Sequence, residues 1–155
     1  MIDELLPPVT LFAALGCGLM AGVFFAFSNF VMKALDRMQG ISAMQSINVL
    51  VLNPLFLGIF VGTAVACGVL AIHSLLHWQS PGSVSRLAGS ALYLLGTFGV
   101  TAAFNVPLNN ILERVDPAKP EALQAWRSYV ASWTRWNHVR TIAALAAAAA
   151  LTIAL

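Results

Sequence analysis

Within four residues near one end of the sequence stand Asn137, His138 and Arg140. The imidazole of His138 can take or give a proton near neutral pH, which makes it a candidate acid–base group. Arg140 keeps its charge, and its guanidinium fork can hold an enolate or phenolate oxygen. Residues two apart on a continuous helix point in nearly opposite directions, so His138 and Arg140 meet at one point only if the helix start is irregular. Asn137 and Arg140, three apart, share a face. Either His138 or the Asn137–Arg140 pair is therefore expected to touch a substrate, with the other in support.

Further amides stand at comparable places: Asn29, Asn53 directly before Pro54, Asn105 just before Pro107, and Asn109 one turn on. Together with Trp136 they are the candidate substrate-binding residues. Each also has a structural explanation. Asn53 and Asn137 can cap helix starts, Asn105 can bond a carbonyl freed by the missing proline N–H, and Arg140 can snorkel to lipid phosphates. His73 and His77 are four apart and could chelate a metal, but no acid lies nearby, and histidines at a membrane interface beside Trp78 are expected instead. No metal site is expected. Cys17 and Cys67 are read as small buried residues. A phosphate-binding glycine loop, a zinc pattern and a nucleophile elbow are all missing, so no cofactor is expected.

The elements that must carry these residues follow from composition. Of 155 residues, 59% are hydrophobic and 9% are charged, against roughly a quarter charged in soluble domains. Such a chain cannot cover a water-facing surface, and its mean hydropathy of +0.83 agrees. A net charge of +2 gives no basic stripe for nucleic acid, and two cysteines exclude a disulfide scaffold. An integral membrane protein is what remains.

A helix needs about 20 apolar residues to cross a bilayer. Val9 to Met32, Pro54 to Leu76 and Leu87 to Val106 meet that, and Val139 to Leu155 is near the short limit. The expected architecture is all-α: one domain, an integral membrane four-helix bundle with spans at roughly 9–35, 54–78, 86–106 and 137–155. Between spans three and four, Leu123, Trp126, Val130 and Trp133 recur at helical spacing after Pro120. They predict an amphipathic helix over roughly 120–136 lying at the interface, with its tryptophans at headgroup depth. Ala14, Gly18, Gly22 and Ala26, then Gly58, Gly62 and Ala66, then Gly99 and Ala103, are spaced to let helices pack closely.

Lys33, Arg37, Arg114, Lys119, Arg127, Arg135 and Arg140 fall on one side of these spans and only Arg86 on the other. The positive-inside rule then places both termini outside and the asparagines with His138 at the cytoplasmic face. The acidic start, Met1 to Glu4, lacks the basic residues of a signal peptide, so the first span should remain in the mature protein.

Four segments resemble one family: GVFFAFSNFVM at 22–32, NPLF at 53–56, GTFGVTAAFNVPLN at 96–109 and WTRWNHVRT at 133–141. They are similar to the anthrone oxygenases, small four-span membrane proteins, and the likeness runs over nearly the whole chain. Fungal members oxidise anthrones to anthraquinones in polyketide pathways and are described as needing no added cofactor. The alanine-rich, compact chain looks bacterial, which suggests an inner-membrane location. The resemblance implies a small hydrophobic aromatic substrate and O2 as partners, beside membrane lipid, with a homo-oligomer left open. His138 would remove the methylene proton, Arg140 and the asparagine amides would hold the oxygen anion, and that anion would reduce O2. The peroxide formed would lose water to give the quinone. Trp136, Phe104 and Phe25 could sandwich the ring. The same residues could instead bind a quinone or lipid without turnover, or make the chain an accessory membrane subunit. A transporter is disfavoured because no intramembrane carboxylate is present to couple a proton.

Overall fold

The computed structural model describes residues 2–38 and 40–155, the side chains of residues 2 and 3 excepted. Of the acidic start, Met1 and the side chains of Ile2 and Asp3 therefore lie outside the described residues. Every regular element among them is helical. Helix α1 runs over Ile2–Ala26, widens into a π-helical stretch at Phe27–Val31 and ends at Met32–Asp36. A short α2 covers Gly40–Leu50, and α3 covers Pro54–Leu76. Helix α4 starts at Ser83–Ala91, passes through π-helical stretches at Leu92–Gly99 and Thr101–Asn105, and closes at Val106–Glu113. Helix α5 spans Ala122–Ile153.

Three of these segments, Glu4–Asp36, Pro54–Leu76 and Ser83–Glu113, are long and apolar enough to cross a membrane. The chain is thus a membrane protein. The long helices form a ring in which α1 packs on α3 and α5, and α4 packs on α3 and α5.

Helix α5 differs from the sequence expectation of an interfacial helix followed by a separate span. It is one uninterrupted helix, because no glycine or proline follows Pro120. Its buried residues form a single stripe from end to end: Ala122, Trp126, Tyr129, Trp133, Asn137, Arg140, Ala143, Ala144, Ala147 and Leu151. Spacings of three and four keep them on one face. Trp126 and Trp133 are therefore turned into the protein and not toward lipid headgroups. They join Met32, Ile41, Met44, Leu112 and Tyr129 in a core beneath α2.

Helix α2 was not expected from the sequence. Gln45 Nε2 pins it to α4 by donating to the carbonyls of Leu112 at 2.9 Å and Val115 at 3.0 Å. Gly40 starts it where a Cβ would collide with the Trp126 ring and the Leu35 carbonyl.

A second core near the other end gathers Cys17, Met20, Phe24, Phe60, Cys67, Leu70, Tyr93 and Leu151. Close backbone packing does occur, but mostly not at the glycines the spacing suggested. Among the described residues nothing lies within contact of a Cβ added at Gly18, Gly22 or Gly58. The tight approaches are Gly16 on Thr63, Gly89 on Ala147 and Leu151, and Gly96 on Ala143. The rings of His73 and His77 stack at 4.3 Å, His73 being buried and His77 exposed. Among the described residues no group of three His, Cys, Asp or Glu side chains could hold a metal ion.

Candidate functional site

The polar residues on the α5 stripe sit between the two cores. Asn137 is fully buried, and its amide spans the gap to α1. Its Nδ2 donates to the Phe24 carbonyl and to Ser28 Oγ, both at 2.7 Å, beside the π-helical stretch of α1. With both donor positions spent on α1, Asn137 Oδ1 faces Arg140 Nη2 and accepts from it at 2.5 Å. Arg140 Nη1 reaches the other way, to Thr101 Oγ1 on α4 at 3.2 Å. Thr101 Oγ1 donates in turn to the Thr97 carbonyl at 2.7 Å.

Arg140 is 5% exposed. Its Cζ lies 4.3 Å from the Phe24 ring centroid and 5.1 Å from that of Trp133. Its Nε is buried without a hydrogen-bond partner. A buried cation costs several kcal/mol unless an anion meets it, by roughly Born-type desolvation reduced by relaxation. The two rings and two neutral oxygens offset part of that cost. Among the described residues no carboxylate lies within ion-pair distance.

Arg140 lines a cavity of about 460 Å³ to which all five helices contribute, within the roughly 300–1,000 Å³ of small-molecule sites. Most of the wall is apolar and aromatic, with Phe24, Phe27, Phe56, Phe60, Met44 and Trp133 among its residues. Beside Arg140 and Thr101, its polar residues are four asparagines, Asn48, Asn105, Asn109 and Asn110, and one acid, Glu113. Asn105, 1% exposed, donates from Nδ2 to the Trp133 carbonyl at 3.2 Å and keeps a buried Oδ1 without a partner. Asn109 Oδ1 accepts from Tyr129 Oη at 2.9 Å and from Trp133 Nε1 at 2.8 Å. Burial pushes the Tyr129 phenol up from its ordinary value, so its hydroxyl stays protonated and remains a donor. Asn48, brought in by α2, leaves a buried Nδ2 without a partner.

Of the residues singled out by sequence, Arg140, Asn105 and Asn109 line this cavity, and Asn137 holds Arg140 from behind. The others lie elsewhere. Asn53 is exposed and caps α3, its Oδ1 accepting from Phe56 N–H at 3.0 Å. Asn29 lies within the π-helical stretch of α1, where a period of 3.6 does not set the face, and is exposed. Trp136 stacks flat on Phe104 at 3.7 Å, outside the cavity. His138 is exposed and lines a separate groove with Ser28, Lys33 and Arg135. Phe25, read as a ring neighbour, is exposed as well. Sequence reasoning missed Asn48, Thr101 and Phe24. The signal for Thr101 was present, since Thr97, Thr101 and Asn105 recur every four residues before Pro107.

The family model for anthrone oxygenases matches residues 55–150. The chain belongs to the anthrone oxygenase family. In this family member the matched stretch carries Thr101, Asn105, Asn109, Trp133, Asn137 and Arg140. The α1 and α2 walls of the cavity, with Phe24 and Asn48, fall outside it. No curated protein and no solved structure matches the chain.

Proposed function

We propose that this protein is a membrane-bound, cofactor-independent oxygenase that converts an anthrone-like or reduced polycyclic phenolic substrate to a quinone with O2. The observation that carries this is Arg140, a buried guanidinium without a carboxylate partner in the wall of an aromatic-lined cavity. Such a site favours a flat apolar molecule with one anionic oxygen, which describes the enolate of an anthrone. Arg140 stabilises the ionised form, and the released proton leaves to solvent. The carbanion carbon transfers electrons to O2 and combines with it as a peroxide, which takes up a proton. Loss of water, with the second methylene hydrogen, leaves the new carbonyl. One substrate and one O2 thus give one quinone and one water.

Val49 and Leu52, exposed at the cavity wall, suit entry of an apolar substrate from the bilayer. In this proposal the second half of α5 is a fourth span, both termini lie outside, and the basic residues with the cavity lie at the cytoplasmic face of a bacterial inner membrane. His138, outside the cavity, has no step.

The test is oxygen uptake by the detergent-purified protein with reduced polycyclic phenols. Uptake matched by quinone formation is expected, with Arg140→Gln lowering kcat about a hundredfold, the order of one lost oxyanion donor. Tight quinone binding with no uptake on any such phenol would replace turnover with binding alone.

A further inference from the structure

The groove that holds His138 shares no lining residue with the cavity. It lies between α1 and α5, encloses about 450 Å³, and is lined by Ser28, Met32, Lys33 and Asp36 on α1 and by Val130, Ala131, Thr134, Arg135 and His138 on α5. We propose that this groove binds the phosphate of an anionic membrane lipid, clamped between α1 and α5.

Charge is the first support. Lys33 supplies a compact ammonium and Arg135 a planar fork, two complementary ways of holding a phosphate, and His138 adds a ring N–H. The Arg135 Cζ lies 5.6 Å from the Trp136 ring centroid. The one acid, Asp36, is partly engaged, since its Oδ1 accepts from Trp126 Nε1 at 2.8 Å. A hydroxyl also awaits a partner: Thr134 Oγ1 is buried and has none. Position is the second support. Lys33 and Asp36 lie in the last turn of Glu4–Asp36, a segment long and apolar enough to cross a membrane, and basic side chains at the end of such a segment are placed to meet anionic headgroups.

The third support concerns the acyl chains. Four and seven residues beyond His138 on the same face of α5 come Ile142 and Leu145, 69% and 62% exposed. On α1, one turn before Ser28, Phe25 is exposed too. Charge above and an open apolar strip below match an amphiphile, whereas a free phosphate would need only the upper half. A lipid seated here would tie α1 to α5 beside the Asn137–Phe24 contact.

Native mass spectrometry of the full chain in a non-ionic detergent tests this, with phosphatidylglycerol, phosphatidylcholine and inorganic phosphate as separate probes. Phosphatidylglycerol should be retained at least about tenfold more tightly than phosphatidylcholine, since each basic side chain near a surface contributes roughly 1 kcal/mol toward an anionic lipid. Lys33→Gln/Arg135→Gln should abolish the preference. Arg114→Gln/Arg127→Gln, which removes the same charge outside the groove, should keep it. Equal loss in both double variants means a diffuse basic belt and overturns the site, as does a wild-type protein with no preference. Displacement by inorganic phosphate at comparable concentration means that phosphate alone is recognised, and overturns the lipid. If the groove variant does not fold by circular dichroism, Thr134→Val decides: a few-fold weaker lipid binding supports the site, and unchanged binding overturns it.

Discussion

Asn137 and Arg140 stand one turn apart on α5 and share a 2.5 Å hydrogen bond, while each also grips a different neighbouring helix. Asn137 holds the Phe24 carbonyl and Ser28 on α1, and Arg140 holds Thr101 on α4. The guanidinium is thus fixed from two sides before any ligand arrives. Such preorganisation lets a charge stabilise an anion without reorganising during the reaction. The π-helical turns of α1 and α4 lie beside these contacts, where wider turns re-aim side chains that regular periodicity would send elsewhere.

Arg140→Lys separates charge from geometry. Lysine keeps the cation but has no fork to reach Thr101 and Asn137 together. Oxygen uptake by Arg140→Lys should fall roughly tenfold, less than the roughly hundredfold loss for Arg140→Gln. Equal loss in both variants would mean that the fork, not the charge, is what counts.

Asn137→Asp places a carboxylate against Arg140 and removes the amide that reached Phe24. The internal ion pair competes with any anionic substrate for the guanidinium. Steady-state kinetics should show kcat down by at least about tenfold with the protein still inserted and helical by circular dichroism. Wild-type kcat in this variant would show that Arg140 is not the oxyanion partner.

His138→Gln addresses the residue whose chemistry looked most attractive in the sequence. Because His138 is exposed on the far side of α5 from the cavity, turnover should stay within about twofold of wild type. A hundredfold loss would bring His138 back as the base.

How much could be read beforehand is best seen along α5. That Asn137 and Arg140 share a face follows from their spacing alone, and the membrane character follows from composition. Which of Arg140 and His138 looks inward depended on whether the helix breaks at residue 137. The lack of glycine and proline after Pro120 already answered that, since an unbroken helix puts Trp126, Trp133, Asn137 and Arg140 on one stripe. The tryptophans were harder. A helical period shows an apolar face but not what covers it, and the cover is α2, whose Ser42, Gln45, Ser46 and Asn48 look like a loop. The π-helical turns leave no periodic trace, so the exposure of Asn29 had no signal.

The packing glycines allow a test in which two similar substitutions should have opposite signs. A Cβ at Gly96 would come within 2.5 Å of Ala143 Cβ, so α4 and α5 would have to separate. Gly96→Ala should destabilise the protein by roughly 1–3 kcal/mol, the usual scale of overpacking. Gly22, in the spacing that looked best for helix packing, has nothing within 4 Å of an added Cβ. Gly22→Ala should be neutral, or stabilising by up to about 1 kcal/mol through helix propensity. Thermal unfolding of both variants in the same detergent measures the difference. If Gly22→Ala proves the damaging one, that face of α1 is covered by a second molecule, since none of the described residues approaches it.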